Sequence, residues 1–558
     1  MDKVKSFWLN GQNLLSRRQS SILSAAFVIA VTYGISMVLG ILRERLLVAR
    51  FYACCRQELD VYYAAFRLPD MIFQLVVIGA LAAAFIPVFS EKLSRDEKEA
   101  YHLASSLINL LLGFFLILAL IIFIAARPFS ALITGNFTLA QVDLMAQMTR
   151  LMLLAQVFFL ISNFLSAIVQ SHQRFLLPAL SPVVYNLGII LSVIFLAGPL
   201  GIWAATVGVL LGALFHFLIQ LPLAIKLGFR YSLSFDWENS GVKRVFRLML
   251  PRTLALAASQ VEATVSLFMA TSLSPGSLTI YYLAQRLADL PVRLLGTSIG
   301  QAALPLLSRQ LAEEKLEEFK RTLNQSVGQI LFVALPTTAI FLVLRVQLVR
   351  FAYGAKSFPW AATIITGRTL AAVVLSIFSQ SVVQLLVRGF YALHDTANPF
   401  FISLISVAIN ISLSVLFVFG FQMGIFGLAL AFSLANFFNF LFLLILFNQK
   451  KVKFLEGKDV IGWLKMTFAA GLAGSVCWLS MRAMDMFVFE TSRAWPLLAL
   501  TLISGTVGLL TYLFLAYLFK FRELEAILGL GKRISQWQKV LFGVEEILEP
   551  HPDTVSGI

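Results

Sequence analysis

Charge is what this sequence has least of. Of its 558 residues 13% are Asp, Glu, Lys or Arg, against roughly a quarter in a soluble domain. With 59% hydrophobic residues, 50 Phe and a mean hydropathy of +0.85, a soluble globule carrying one anchor is excluded. The fold class is an all-α polytopic membrane protein. Cysteine is scarce as well: Cys54, Cys55 and Cys477 contain no CxxC pair and build no disulfide framework. The five histidines are scattered without HxxxH or HExxH spacing, so no metal site is expected. No nucleophile elbow, paired-carboxylate motif or phosphate-cradling glycine loop is present, which leaves catalysis unsupported and calls for no cofactor. The N-terminus does not read as a cleavable signal, because the apolar run after the mixed, basic stretch 1–20 is long enough to span.

Basic residues are in excess, with a formal net charge of +15. That balance raises nucleic acid as a partner. Here, however, the lysines and arginines lie mostly in short loops between apolar runs, where membrane orientation accounts for them. No nucleic-acid partner is expected.

At roughly 20 residues per crossing, about fourteen spans can be read. They are Ser21–Ile41, Val61–Phe89, Leu103–Ala126, Met145–Val169, Leu176–Leu196, Gly201–Ile225, Val245–Ser272, Ile280–Leu307, Val327–Leu344, Ala361–Val387, Pro399–Phe419, Gly424–Phe447, Val460–Met481 and Trp495–Leu518. The expected organisation is an amphipathic N-terminus (1–20), an N-terminal lobe (21–225), a polar linker (226–244), a C-terminal lobe (245–449), two extra spans (460–520) and an amphipathic tail (521–558). Lys92, Arg95, Lys98, Lys226, Lys243, Arg309, Lys315 and Lys450 fall on one side, and fewer basic residues, such as Arg127, Arg345 and Arg482, on the other. Both termini are therefore expected in the cytoplasm. Arg43, Arg45, Arg50 and Arg56 break this rule, since all follow the first expected span.

The two lobes share a repeat. Tyr62, Tyr63, Arg67, Leu68 and Asp70 recur as Tyr281, Tyr282, Arg286, Leu287 and Asp289, each 219 residues later. Pro87 and Ser90 recur as Pro305 and Ser308, one residue out of step. Gly201-Ile202 is matched by Gly424-Ile425, and Phe215, Phe217 and Leu218 by Phe438, Phe440 and Leu441. An even number of spans per lobe makes this a parallel repeat, an arrangement that places a transport site between the halves. Both halves of such a site lie in one chain, so a monomer suffices.

Charge inside a span is costly and marks function or a specific partner. Arg67 and Asp70 share a helical face, as do Arg286 and Asp289, with Arg293 one turn further on. Guanidinium groups facing a common chamber suit a pyrophosphate- or carboxylate-bearing ligand. The competing reading pairs each arginine with its own aspartate, Asp70 or Asp289, as a structural clamp, or lets it snorkel to the interface. Arg252 and Glu262 lie on roughly one face of the seventh span. A mid-span Glu262 is either a coupling group for Na+ or H+ or a structural partner for an arginine. Asn410, in the eleventh span, is by default a helix-to-helix hydrogen-bonding residue.

The segments GILRERLLVARF, DVYYAAFRLPD and IPVFSEKLS resemble the first two helices of the MurJ (MviN) lipid II flippases. IYYLAQRLADLPVRLLG followed by ALPLLS is similar to the eighth helix of that family, and SHQRFLLPALSPVVYN and RGFYALHDTANPF to the stretches entering its fifth and eleventh. The resemblance covers roughly residues 20–450 and extends to the wider superfamily of multidrug, oligosaccharidyl-lipid and polysaccharide exporters. It implies a flippase in the bacterial inner membrane that moves an undecaprenyl-pyrophosphate-linked peptidoglycan precursor by alternating access. By motif, Arg43, Asp60 and Arg286 match functional positions of the family, and Arg67 a basic one. The sequence departs from the pattern at Met37 and Phe73, which replace arginines, and at Ile78, which replaces an acidic residue. Arg45, Arg252 and Arg293 are the candidates to compensate. Asn410 joins Glu262 as a candidate ion site, with Ser414 where an acidic partner would stand. The implied partners are the lipid-linked pyrophosphate, membrane lipids and the cell-wall synthesis machinery. Coupling would be to Na+, H+ or the membrane potential. A flippase for another lipid-linked oligosaccharide and a non-transporting scaffold of the same fold remain the alternatives.

Overall fold

The computed structural model describes residues 22–78, 84–354, 357–449, 452–488 and 494–525. The expected amphipathic N-terminus and nearly all of the amphipathic tail therefore lie outside the described residues.

Among these residues every regular element is a helix. This is the expected outcome for a chain whose backbone must satisfy itself in lipid. The helices are α1 (Ile22–Ala65), α2 (Arg67–Phe73), α3 (Ile86–Leu93), α4 (Glu97–Ile124), α5 (Ala126–Ile133), α6 (Leu139–Ser171), α7 (Leu176–Leu200), α8 (Trp203–Leu218), α9 (Leu221–Lys226), α10 (Ser240–Thr271), α11 (Ser277–Val292), α12 (Ser298–Ala312), α13 (Leu316–Val343), α14 (Arg345–Tyr353), α15 (Trp360–Val374), α16 (Ile377–Ala392), α17 (Ala397–Val415), α18 (Gly424–Gln449), α19 (Gly457–Phe487) and α20 (Ala494–Leu518). Twelve helical runs among the described residues are long and apolar enough to cross a membrane. One of them, Val31–Ile78, takes in parts of the first two expected spans, with a non-helical Cys55 (φ −142°, ψ 40°) between them. The seventh expected span corresponds to α10, which is not one of the twelve.

The first span ends later than expected. The sequence reading stops it at Ile41, before the arginine cluster, but α1 runs on to the break at Cys55. Arg43, Arg45 and Arg50 thus sit in the helix rather than in a loop, and only Arg56 follows the break. Arg43 is tolerated there because its neighbour Glu44 and the distant Asn186 meet its charge. At the break the sulfurs of Cys54 and Cys55 are joined; a bridge between neighbours closes no loop and adds no framework.

Two compact units are present. The first comprises Met1–Asp289, Arg345–Ser376 and Thr396–Asn439. In it α7 and α8 meet through glycines: a Cβ on Gly188 would lie 2.6 Å from the Gly212 backbone, and one on Gly208 2.8 Å from that of Ile189. Small residues at such contacts let helix backbones approach. The second comprises Leu290–Leu344, Ile377–Asp395 and Phe440–Ile558. Its core is aromatic, with Phe447 packed against Phe319, Phe390 and Phe454. In the same unit a Cβ on Gly508 would lie 2.8 Å from that of Cys477, which closes α19 on α20.

The repeat is visible in backbone geometry. Helix α2 continues into a π-helical turn at Gln74–Ile78, and α11 into one at Arg293–Thr297. The two turns occupy equivalent positions of the repeat. Gly201 and Gly424, also equivalent, both have left-handed backbones (φ +54° and +60°) with open space around the missing Cβ. Conformation, not crowding, requires glycine at both.

Candidate substrate site

The site lies in the first compact unit, where α1, α2, α7, α10, α11 and α17 bring polar groups together. Its centre is the contact between the two copies of the repeat. Tyr63 stacks on Tyr282, its own counterpart, with ring centroids 5.3 Å apart and planes inclined by 16°. Asp60 likewise meets its counterpart. Its carboxylate accepts hydrogen bonds from Thr279 N (2.8 Å) and Thr279 Oγ1 (2.6 Å), and from Gly276 N (2.6 Å). These amides belong to the first turn of α11, whose leading N–H groups have no partner within the helix. Asp60 therefore caps α11 from 219 residues away.

Arg43 donates through Nη1 to Asn186 Oδ1 (3.1 Å) and through Nη2 to Glu44. Glu44 also accepts the hydroxyl of Tyr63 (2.6 Å), which ties the ion pair to the tyrosine stack. The Asn186 amide donates in turn to Ser36 (3.3 Å) and to the Pro182 carbonyl (3.0 Å). Arg43 Nε is buried with no hydrogen-bond partner among the described residues.

Arg67 is buried and bridges to α10. Its Nε donates to Thr264 Oγ1 (2.9 Å), and its Nη2 to the Gln260 carbonyl (2.7 Å) and Gln260 Oε1 (2.7 Å). Asp70 bonds to Gln74 and feels the charges of both Arg67 and Arg286. Of the two bland readings of Arg67, snorkelling is not what the structure shows. It is held by three hydrogen bonds to α10, with Asp70 a through-space neighbour rather than a hydrogen-bond partner.

Arg286 differs from both. It is exposed on α11 and makes no hydrogen bond or ion pair among the described residues, yet it lies in the fields of Glu44 and Asp70. Tyr185 senses both Arg43 and Arg286, and Tyr282 both Arg286 and Arg67. The three arginines therefore share one region, in which two guanidinium groups are committed to protein partners and one is left exposed. Arg293, at the start of the second π turn, is exposed in the second compact unit. The side chain of Arg252 lies outside the described residues. Arg45 donates to the Phe351 carbonyl (3.1 Å). Asp289 is half-buried on α11.

Glu262 and Asn410 meet directly, with Asn410 Nδ2 donating to Glu262 Oε1 (2.7 Å) and Ser414 Oγ donating to Asn410 Oδ1 (3.2 Å). The pairing leaves one carboxylate in the group. No cluster of three or more His, Cys, Asp or Glu able to hold a metal occurs among the described residues. The position of the missing arginine, Phe73, is buried against Phe159 (6.2 Å), which itself contacts Tyr185 (5.0 Å). Met37 is half-buried.

Sequence reasoning missed Glu44, Asn186, Gln260 and Thr264. Glu44 carried a signal, an acid between two arginines inside an apolar run. The other three are ordinary polar residues of apolar helices, and only packing reveals their partners.

A polytopic helical bundle built on a parallel repeat, with charged residues in its interior, is the architecture of a membrane transporter. The comparisons with known proteins agree. A family model described as "Lipid II flippase MurJ" matches residues 56–495. The probable lipid II flippase MurJ of Bdellovibrio bacteriovorus is 28% identical over 523 residues, covering 92% of this chain and 98% of its own. A solved structure described as lipid II flippase MurJ in an inward closed conformation superposes with a TM-score of 0.73 at 24% identity, covering 88% of this chain and 98% of its own. An inward-facing multidrug transporter of the MATE family shares the fold more distantly, with a TM-score of 0.63 at 14% identity over 76% of this chain and 98% of its own. This chain belongs to the MurJ family of lipid II flippases. It is accordingly a multi-pass inner-membrane transporter whose substrate is lipid-linked.

Proposed function

We propose that this chain flips lipid II by alternating access for cell-wall synthesis, and that Arg286 is the group that meets the pyrophosphate. One observation carries the assignment: Arg286 is exposed and unbonded among the described residues, while Arg43 and Arg67 are occupied by protein partners. A planar guanidinium with its donors unspent is suited to bidentate phosphate binding. Glu44 and Asp70 offset part of its charge, so a bound pyrophosphate is held without being trapped. Arg43, Asp60, Arg67, Arg252 and Arg293 complete the proposed substrate set, with Asp70 and Asp289 as structural acids. Glu262 and Asn410 form the proposed coupling pair for Na+ or H+, and the role is transport rather than catalysis. The two lobes, 21–225 and 245–449, would alternate about the repeat, with both termini in the cytoplasm and one chain as the working unit.

Depletion of a cell's own flippase, followed by rescue with this chain, tests the reading through exposure of precursor at the outer leaflet. Rescue by the parent chain and its loss with Arg286→Ala are expected, with partial rescue by Arg286→Lys, which keeps charge but not the bidentate fork. A parent chain that is inserted and folded but does not rescue overturns the substrate assignment. Phe73, buried where an arginine was expected, favours a second reading, a flippase for another lipid-linked oligosaccharide. Rescue of a strain lacking that activity instead would select it.

A further inference from the structure

The segment joining α9 to α10 was expected to be a polar linker, but it is two-faced. From Tyr231 to Trp237 it is not helical and alternates in residue type: the side chains of Ser234 and Asp236 face α4, Ser232 meets it through its backbone, and Tyr231, Leu233, Phe235 and Trp237 are 57%, 77%, 60% and 50% exposed. On α4 the residues His102, Ser105, Ser106 and Asn109 form a polar ladder at helical spacing. Asn109 Nδ2 donates to the carbonyls of Ser232 (3.0 Å) and Ser234 (2.8 Å). Tyr231 OH donates to Asn109 Oδ1 (2.6 Å), Ser232 N to Ser105 Oγ (3.3 Å), and Ser106 Oγ to Ser234 Oγ (2.9 Å). His102 Nε2 lies 3.2 Å from Asp236 Oδ2. Tyr101 OH donates to the Leu227 carbonyl.

Depth decides what the outer edge touches. Asn109 lies about 9 Å along the helix from Leu103, where the apolar span begins. The segment therefore enters to the level of Asn109 at Ser232 and returns to the level of His102 at Asp236. Irregular backbone is tolerated at membrane depth only where its polar groups are met; the α4 ladder takes the Ser232 and Ser234 carbonyls and the Ser232 N–H, and two turns within the segment take the N–H groups of Ser234 and Trp237. The opposite edge continues the surface of α4, whose Ile117, Leu120 and Ile124 are exposed along the apolar span. Tyr and Trp are the residues that favour the boundary between acyl chains and headgroups. Exposed Lys226 and Arg230, at the near end of the segment, suit anionic headgroups.

We propose that residues 231–237 form a re-entrant membrane anchor, zipped to α4 by polar groups that include the Tyr231 hydroxyl and inserted by Leu233, Phe235 and Trp237 into the phospholipid leaflet at that end of the helix. The anchor is independent of which lipid-linked substrate the protein carries.

Single cysteines at Leu233, Phe235 and Ser234 test it, each spin-labelled in the full chain with Cys54, Cys55 and Cys477 replaced and reconstituted into phosphatidylethanolamine–phosphatidylglycerol vesicles. Labels at 233 and 235 are expected to collide severalfold more with oxygen than with a water-soluble nickel chelate, and the label at 234 to be shielded from both. Nickel accessibility at 233 and 235 equal to or above that of oxygen overturns the proposal in favour of a solvated loop. Shielding of both positions from both reagents overturns it in favour of a covering protein segment. The unaltered chain gives a second measurement. A diazirine on the phospholipid acyl chain should label residues 231–237 on illumination, as mapped by mass spectrometry, and labelling of Ile117–Ile124 alone overturns the anchor.

Discussion

Asp60 shows how a residue that matches a family's functional position can work through architecture. Its carboxylate is filled by three hydrogen bonds from Gly276 and Thr279, so its direct effect is to fix where α11 starts and hence where Arg286 sits. Hydrogen bonds to a charged acceptor contribute on the order of 1.5–3 kcal/mol, more when a partner is left unsatisfied. Asp60→Asn replaces one accepting oxygen by an amide NH2 group that faces N–H or O–H donors and should lower stability by about 2 kcal/mol, read as a fall in the thermal midpoint of the purified protein. Thr279→Val removes one bond and should cost about half as much. Equal, negligible effects would show that the cap is dispensable. The residue scale is also where the sequence was least legible. That Arg67 lies in an apolar run was plain, but its partners, Gln260 and Thr264, are nearly two hundred positions away. No local pattern distinguishes them from other polar residues of α10.

Helices were legible where apolar length alone decides them and less so where charges interrupt it. The spans from α4 to α8 were found close to their observed places because continuous apolar runs leave no other solution in lipid. The first span was cut short at Ile41, since Arg43 resembles a boundary to any reading that cannot see Glu44 and Asn186 folded around it. The α9–α10 connection, read from its charged flanks as a polar linker, also carries a period-two alternation in YSLSFDW. At Gly201 and Gly424 the repeat is carried by conformation. An L side chain in such a backbone costs about 1–3 kcal/mol. Gly201→Ala and Gly424→Ala should therefore each lower the thermal midpoint by a similar amount, although nothing lies within 4 Å of either added Cβ. A marked difference between them would show that the two turns are not equivalent in energy.

For the whole molecule, the distribution of basic residues makes a prediction about sidedness. Lys98 and Glu314 flank loops on the positive side, and Thr138 and Phe487 lie at the opposite ends of their helices. In a chain lacking its native cysteines, Lys98→Cys and Glu314→Cys should react with a membrane-impermeant maleimide only from the cytoplasmic face, and Thr138→Cys and Phe487→Cys only from the other. Mixed labelling within either pair would refute the orientation. Composition and hydropathy were enough to read the class of protein and its span number. They could not read which arginine is left to meet a ligand, because that depends on which charges the fold neutralises internally.

The meeting of Asp60 with Thr279, and of Tyr63 with Tyr282, has a consequence for the history of the chain. Two identical subunits joined about a twofold axis place each axial residue against a copy of itself. A Tyr–Tyr stack survives that constraint unchanged. An Asp facing Thr does not, since a symmetric ancestor would have opposed two carboxylates or two hydroxyls at that point. The pairing needs two different sequences, so it arose after the two copies had diverged. The cap on α11, and the placement of Arg286 beside it, is thus a product of that divergence rather than of the repeat itself.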